Sequence, residues 1–350
     1  MKTKCSVTEE LSNPADQKRH IGFLPSEPTF CAYAFTLESL EHASLPGYTG
    51  STLRGSLGHS LLRLNCSQDT PVCQSCQSAS KCPYLQIFGA RSSGEGGCWQ
   101  SSNIPHPFVI EPPLVHKETY RPGDTLTFRL ILVGDGTSHL IDIITAFSDA
   151  ALTGLGKERA RFRLTRVVDA FADKKRAMYD GKSLRLNGEV ICRSFKNVTD
   201  EVCRLNARQL RIFFLTPTRL KRKDLPSQER TFEFVTELRF PIFVRALLRR
   251  LSWLAEAHCG EKWNIDHTGL LAKAETIRTT ESDLHWHDMQ RYSARQDTKI
   301  HMGGVVGRVC FEGDLREFLP FVKMGEYLHV GQGTVLGLGK YMIEPTDSSN

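Results

Sequence analysis

Strand-like and helix-like patterns of apolar residues follow one another along this chain. Segments with the apolar and aromatic character of β-strands lie at 30–37, 125–133, 162–167, 210–217, 303–311 and 341–343. Apolar residues three and four positions apart predict helices at 51–64, 140–152, 241–254 and within 315–327. The apolar stripe of the first of these helices consists of Leu53, Leu57, Leu61 and Leu64. The chain is therefore predicted to be α+β.

One apolar segment, at 105–113, contains too many prolines for a central strand. Because proline cannot donate a hydrogen bond to a neighbouring strand, this segment is predicted to be an edge strand or a crossing segment.

Two halves of the chain repeat the same order of elements. Each half runs strand, helix, strand, helix, glycine loop and strand, and the glycine loops share a Gly-Leu-Gly-Lys pattern that ends at Lys157 and at Lys340. This order predicts two tandem ferredoxin-like (RRM-like) domains, each an antiparallel sheet with helices on one face. We place the first at 28–172, with a cysteine-rich insertion at 66–100, and the second at 205–346. A strand at 184–192 fits either half.

The second glycine loop is the stretch that suggests chemistry. Its members are Gly331, Gly333, Gly337 and Gly339, followed by Lys340. A run of exposed amides beside a lysine suits phosphate oxygens, whereas the alternative is a flexible hairpin tip.

Composition sets the class of protein. The 350 residues carry a net charge of +6, with 40% hydrophobic and 24% charged residues, as in ordinary globular chains of about two domains. No stretch has the length of a membrane span, and the N-terminus lacks the apolar core of a secretion signal. We therefore expect a cytoplasmic protein. The positive charge fits either solubility or nucleic-acid binding.

The eleven cysteines are expected to be mostly reduced, because their number is odd and the chain is long. Four of them, Cys66, Cys73, Cys76 and Cys82, lie close together in sequence with a Cys-x2-Cys pair at the centre. This spacing predicts a structural zinc site within a segment otherwise too polar to hold itself together. The alternatives are four unrelated thiols or two disulfides.

Positive side chains occur in three runs. The residues that we predict to bind RNA are, besides the second glycine loop, Lys157, Arg159, Arg219, Lys221, Arg291 and Arg295. Any one run is more often a solvated face, but three runs, two of them next to glycine loops or aromatic residues, favour a phosphate backbone with some base stacking.

Among the histidines, His59 is the leading candidate for catalysis. It lies off the apolar stripe of its helix, among small residues and near Arg54 and Arg63. His42 is the reserve candidate, and Tyr48, Arg54 and Lys340 could assist. Paired-carboxylate nuclease motifs, a Walker loop and a nucleophile elbow are not found in the sequence. If the chain is a nuclease, attack by the RNA's own 2′-OH, assisted by histidine, is the expected chemistry.

Six ordered features give the chain a family resemblance: segments 45–59, 105–113, 214–221, 291–296 and 329–341, and the four clustered cysteines. It resembles the CRISPR repeat-RNA processing endoribonucleases of the RAMP superfamily, in the branch with a cysteine-rich insertion. The resemblance runs from about residue 29 to 345. Catalytic residues vary across that family but usually include a histidine, often in or after the first helix, and His59 occupies the matching Gly-His position here.

The resemblance implies metal-independent cleavage of precursor CRISPR RNA within each repeat, leaving a 2′,3′-cyclic phosphate and a 5′-hydroxyl. It also implies repeat RNA, the mature guide RNA and other CRISPR effector subunits as partners, with zinc as a structural cofactor only. The competing hypotheses are a non-catalytic RNA-binding subunit of a CRISPR effector complex and, more weakly, a zinc-stabilised DNA-binding regulator.

Overall fold

The computed structural model describes residues 27–68, 73, 76–89, 104–115, 117–172, 177–183, 190–203, 205–220, 237–260, 262–293 and 298–344. Two residues predicted to bind RNA, Lys221 and Arg295, lie outside this part of the chain. Within it, no helix is long and apolar enough to cross a membrane.

Strands and helices alternate through both halves. In chain order the first half contains β1 (Phe30–Ser39), β2 (Ala43–Ser44), α1 (Gly50–Asn65), α2 (Pro83–Phe88), β3 (Phe108–Glu111), β4 (Thr119–Tyr120), β5 (Thr125–Val133), α3 (Leu140–Thr153), β6 (Phe162–Asp169), β7 (Ala177–Tyr179) and β8 (Cys192–Arg193). The second half contains α4 (Phe195–Val202), β9 (Gln209–Thr218), α5 (Phe240–His258), α6 (His267–Ala274), β10 (Arg278–His287), β11 (Gln290–Ser293), β12 (Thr298–His301), β13 (Gly304–Glu312), α7 (Leu319–Leu328) and β14 (Tyr341–Glu344).

The first half is built on an antiparallel sheet in the order β3-β5-β1-β6-β7, with β8 also pairing with β1. The proline-rich segment supplies β3 at one edge, as predicted. Apolar residues of α1 and α3 pack with alternate residues of β1 and β5 in one core. At its centre the ring centroid of Phe147 lies 5.2 Å from that of Phe35 and 4.9 Å from that of Phe128. The predicted leucine stripe of α1 is buried here at Leu53, Leu57 and Leu61.

The second half has an antiparallel sheet in the order β10-β13-β9-β14. Helices α5 and α7 pack with β9 and β13 in a second core, in which Phe240 and Phe311 stack edge to face at 5.0 Å. The mixed class with antiparallel sheets is therefore confirmed.

The two cores meet on opposite faces of β1. Tyr33, Phe35 and Leu37 belong to the first core, whereas Phe30 and Ala32 belong to the second. The Phe30 ring lies 5.2 Å from that of Tyr327 on α7. Because strand side chains alternate between faces, a single strand joins both halves.

Strand β10 was missed by the sequence patterns. It lies at the edge of the sheet, and nearly all of its residues are exposed on both faces. Its sequence therefore lacks the alternation of apolar and polar residues from which a strand is predicted.

The expectation of mostly reduced cysteines needs one correction. Cys31, fully buried in β1, forms a disulfide with Cys192 of β8. This pairing also ties the 190–193 segment to the first sheet, whereas residues 184–189 of the predicted strand lie outside the described residues.

Candidate functional site

A cleft of about 2150 Å³ opens where the two halves meet. The first half supplies the loop before α1, α1 itself, Glu118, the end of α3 and the loop after it. The second half supplies residues between 287 and 302 and between 333 and 336. The charged residues that line it are Arg54, Arg63, Glu118, Lys157, Glu158 and Arg159. Cations outnumber carboxylates, so the cleft suits a polyanion.

Helix α1 presents His59 to this cleft. The imidazole is exposed, whereas Leu53, Leu57 and Leu61 on the opposite side of the helix are fully buried. The two glycines near it, Gly55 and Gly58, have different structural roles. A Cβ at Gly55 would meet nothing within 4 Å, but one at Gly58 would lie 3.3 Å from the Phe88 ring. One glycine therefore keeps the cleft open, and the other lets α2 pack against α1.

The other catalytic candidates of the first half differ in position. The Arg54 guanidinium lies 5.1 Å above the Phe88 ring and lines the cleft. Tyr48 also lines the cleft, but its hydroxyl donates a 2.7 Å hydrogen bond to the carbonyl oxygen of Leu336. Burial and the charge of Glu111 raise the pKa of Tyr48, so it keeps its proton. His42 is exposed and is not among the residues that line the cleft.

The first glycine loop carries two of the predicted RNA-binding residues into the cleft. Gly154 and Gly156 adopt φ of 109° and 75°, which an L side chain rarely adopts. A Cβ at Gly156 would lie 2.8 Å from a methyl carbon of Leu45, so the loop packs against the segment before α1. The side chains of Lys157 and Arg159 are exposed on the cleft wall.

The second glycine loop is neither a flexible tip nor a row of exposed amides. The backbone amides of 336–340 all donate hydrogen bonds within the protein, for example Gly339 to the carbonyl of Pro217 at 3.1 Å and Lys340 to the hydroxyl of Thr216 at 2.9 Å. Gly337 and Gly339 are buried, whereas Gly331 and Gly333 are half-buried. Gly50 at the start of α1 packs directly on this loop, since a Cβ there would overlap the carbonyl oxygen of Leu336. The loop is a joint between the halves.

A buried carboxylate, Glu111 of β3, anchors this joint. Its Oε1 lies 2.7 Å from the Lys340 ammonium and 2.9 Å from Nε2 of His329, and its Oε2 lies 3.4 Å from Arg129. Burial disfavours the ionised carboxyl, but the His329 hydrogen bond and the neighbouring cations outweigh that effect and lower its pKa to about 2. Lys340, predicted to bind RNA, is thus ion-paired inside the protein, with a side chain only 18% exposed.

Two further basic candidates are Arg219 and Arg291. Arg219 lies beside the second glycine loop, whereas the side chain of Arg291 is outside the part of the chain that the structure describes. Arg219 donates through Nε to the carbonyl of Gly303 at 2.9 Å, and its own carbonyl accepts from the amide of Gln332. Arg291 lies in β11.

The four clustered cysteines are all free and partly buried. Burial raises the pKa of the Cys73 thiol, and Cys66, Cys82 and Cys76 add to the effect, so the four sulfurs share one neighbourhood. Among the described residues, however, no group of three or more His, Cys, Asp or Glu side chains is arranged to hold a metal ion.

Residues of the second half that the sequence patterns did not single out complete the cleft: His287, Met289, Gln290, Ile300 and Met302. They lie on or beside β10, β11 and β12, and the exposed residues of β10 gave no periodic signal.

Part of the chain matches a known protein family. Residues 212–341 match the family model for CRISPR-associated endoribonuclease Cas6. This chain contains a Cas6 family domain. Residues 26–190 match a second family model, described as an N-terminal domain. No curated protein matches the chain in sequence.

Solved Cas6 structures share its fold. A product complex of Thermus thermophilus Cas6 is 18% identical, with a TM-score of 0.54 over 91% of this chain and 100% of that one. The partial Cas6-RT-Cas1–Cas2 complex and the Cas6-RT-Cas1–Cas2 complex are each 16% identical, with TM-scores of 0.57 over 93% of this chain. Here the chain spans only 47% and 30% of the length of the matched proteins.

Proposed function

We propose that this chain is a Cas6-type endoribonuclease that cleaves precursor CRISPR RNA within its repeats to release guide RNAs. The observation that carries the proposal is the position of His59, exposed on the wall of a cation-lined cleft to which both halves contribute. The partners that follow are repeat RNA, the guide RNA product and other CRISPR proteins.

Each half has the strand order expected of a ferredoxin-like domain. Numbering the four principal strands of each half along the chain, the orders β6-β1-β5-β3 and β14-β9-β13-β10 are both 4-1-3-2. With helices α1 and α3, and α5 and α7, in the two connections, each half follows the ferredoxin-like β-α-β-β-α-β sequence. We infer two tandem ferredoxin-like domains, near the bounds 28–172 and 205–346.

The proposed reaction uses the RNA's own 2′-hydroxyl. Its oxygen attacks the adjacent phosphorus, the bond from phosphorus to the 5′-oxygen breaks, and the products carry a 2′,3′-cyclic phosphate and a 5′-hydroxyl. His59 transfers a proton at one of these oxygens. Arg54, on the same helix and the same cleft wall, stabilises charge that develops on the phosphate. This reaction has no step that needs a metal ion.

The proposal is tested with His59→Ala on the cognate repeat RNA. We expect single-turnover cleavage to slow by a factor of about 100 to 10,000, with RNA binding retained. Leu64→Ala is the matched control, because Leu64 is an exposed residue on the same helix that does not line the cleft. A substrate with a 2′-deoxy nucleotide just upstream of the scissile phosphate should not be cut.

Two results would contradict the proposal. Cleavage of the 2′-deoxy substrate would exclude attack by the 2′-hydroxyl. Tight binding of the cognate repeat without cleavage by the wild-type protein would instead indicate a non-catalytic RNA-binding subunit of a CRISPR effector complex.

We also propose that Cys66, Cys73, Cys76 and Cys82 bind one structural zinc ion. The support is the Cys-x2-Cys spacing, together with the rise in the pKa of Cys73 that burial and the charges of the other three thiols cause. When bound, zinc would cross-link the short segment between α1 and α2. Elemental analysis of the purified protein should find about one zinc per chain, lost in Cys73→Ser/Cys76→Ser and retained in Cys203→Ser, which changes an exposed free cysteine. A zinc-free wild-type protein would refute this site.

A further inference from the structure

The cleft that holds His59 contains a second histidine. Among the described residues that line it, His59 from the first half and His287 from the second are the two imidazoles. We infer that His287 is a further catalytic residue, which handles the second of the two proton transfers in RNA cleavage. The inference rests on the endoribonuclease function proposed above.

Tight backbone packing fixes the end of β10 where His287 lies. His287 pairs with Gly304 of β13, and a Cβ at Gly304 would lie 2.7 Å from the amide nitrogen of Thr218. A Cβ at Gly303 would lie 3.0 Å from the carbonyl oxygen of His287. Nε of Arg219 donates a 2.9 Å hydrogen bond to the carbonyl oxygen of Gly303. The sheet, rather than a free loop, thus sets the position of this imidazole at the cleft.

Two protons move in the proposed reaction, and two groups are needed for them. A neutral imidazole takes the proton of the 2′-hydroxyl as the bond from its oxygen to phosphorus forms. A protonated imidazole gives a proton to the 5′-oxygen as its bond to phosphorus breaks. Histidine is the side chain suited to both roles near neutral pH.

Two other catalytic candidates near the cleft are already engaged. Tyr48 donates its hydroxyl proton to the carbonyl of Leu336, and Lys340 is paired with Glu111. The charged side chains that line the cleft around the two histidines are Arg54, Arg63, Glu118, Lys157, Glu158 and Arg159. The arginines and the lysine suit phosphate binding, and Arg63 is bonded to Asp149 and Thr153. His287 is therefore the histidine of the second half that lines the same cleft as His59.

The test compares His287→Ala with His285→Ala. His285 is also an exposed histidine and lies two residues earlier on the same face of β10, yet it does not line the cleft. Single-turnover cleavage of repeat RNA is measured across pH with enzyme in excess. We expect His287→Ala to slow cleavage by a factor of about 100 or more and to remove one limb of the pH–rate profile. Its RNA dissociation constant should stay within about twofold of the wild type, and His285→Ala should cleave normally.

A substrate with sulfur in place of the bridging 5′-oxygen distinguishes the two roles, because thiolate leaves without a proton. It should restore fast cleavage to only one of His59→Ala and His287→Ala, the one that lacks the general acid. If the sulfur substrate rescues neither variant, the assignment of one histidine as general acid and the other as general base is overturned. A His287→Ala variant that cleaves like His285→Ala, or that is impaired in binding alone, would overturn the catalytic role of His287.

These outcomes are separate from failure of the proposed function itself. That failure would appear as a wild-type protein that does not cut its repeat, or as a His59→Ala variant that cuts at the wild-type rate. Thermal unfolding of each variant confirms that lost activity does not reflect lost folding.

Discussion

Glu111 is a buried carboxylate that joins the two halves. It is 5% exposed, yet it meets Lys340 and His329 of the second half and Arg129 of its own sheet. His329 is fully buried and has φ of 64°, an unusual value for a side chain other than glycine. Its Nδ1 lies 3.0 Å from the carbonyl of Leu338 in the glycine loop. The carboxylate therefore fixes both ends of that loop.

Replacing this carboxylate should destabilise the protein strongly. In Glu111→Gln the side chain keeps its shape but leaves the buried Lys340 ammonium without its counter-charge, which typically costs about 3–5 kcal/mol. Urea denaturation should show this loss of unfolding free energy. Glu281→Gln, which changes an exposed carboxylate on β10, is the control and should alter stability by less than about 0.5 kcal/mol.

The same carboxylate gives an acid-dependent contribution with a defined sign. Its pKa is lowered from 4.5 to about 2, so its stabilisation is complete above the unfolded value and is lost as pH falls from about 4.5 through about 2. The difference between the unfolded and folded pKa values of Glu111 corresponds to roughly 3 kcal/mol of unfolding free energy. Acid unfolding curves of wild type and Glu111→Gln should therefore converge towards pH 2. Curves that stay equally far apart down to that pH would contradict an ionised Glu111.

At the scale of elements, two loops with the same Gly-Leu-Gly-Lys pattern serve different purposes. The first leaves Lys157 and Arg159 exposed on the cleft wall. The second uses its amides internally and pairs its lysine with Glu111. The partners that each loop meets, rather than the glycine pattern, determine whether its lysine faces the cleft.

This difference predicts how RNA binding responds to salt. Each phosphate contact to a single strand contributes about 0.7 to the slope of log K against log salt, so Lys157→Ala/Arg159→Ala should reduce that slope by about 1.4. Lys340→Ala should leave the slope unchanged and lower the unfolding free energy instead. Arg316→Ala, which changes an exposed arginine paired with Asp314, should change neither the slope nor the affinity. Equal slopes for the loop variant and the wild type would exclude the first loop from phosphate binding.

Helix α1 links the chemistry to the joint between the halves. Its leucine face is buried in the first core, its N-terminal Gly50 packs on the second glycine loop, and His59 projects into the cleft. The leucine stripe and the candidacy of His59 were accessible from sequence, because both depend on spacing within one helix. The contact of Gly50 with Leu336 was not, because the two residues are far apart in the chain.

At the scale of the whole molecule, the two cores share β1. One face of this strand carries Tyr33, Phe35 and Leu37 into the first core, and the other carries Phe30 and Ala32 into the second. The disulfide from Cys31 to Cys192 secures the same strand to β8, which lies just before the second half. The halves are therefore packed against each other, and residues from both reach one cleft.

The sequence by itself determined the apolar strands and the main helices, because their periodicity is local and reports which side of each element is buried. It also determined the repeated order of the two halves and the candidacy of His59. Tertiary structure alone decided that Lys340 meets Glu111, that the second glycine loop is a packed joint, and that His287 faces the same cleft as His59. Those outcomes depend on which distant surfaces come together. The local sequence of a polar edge strand, or around a charged loop residue, does not predict which distant residue it will contact.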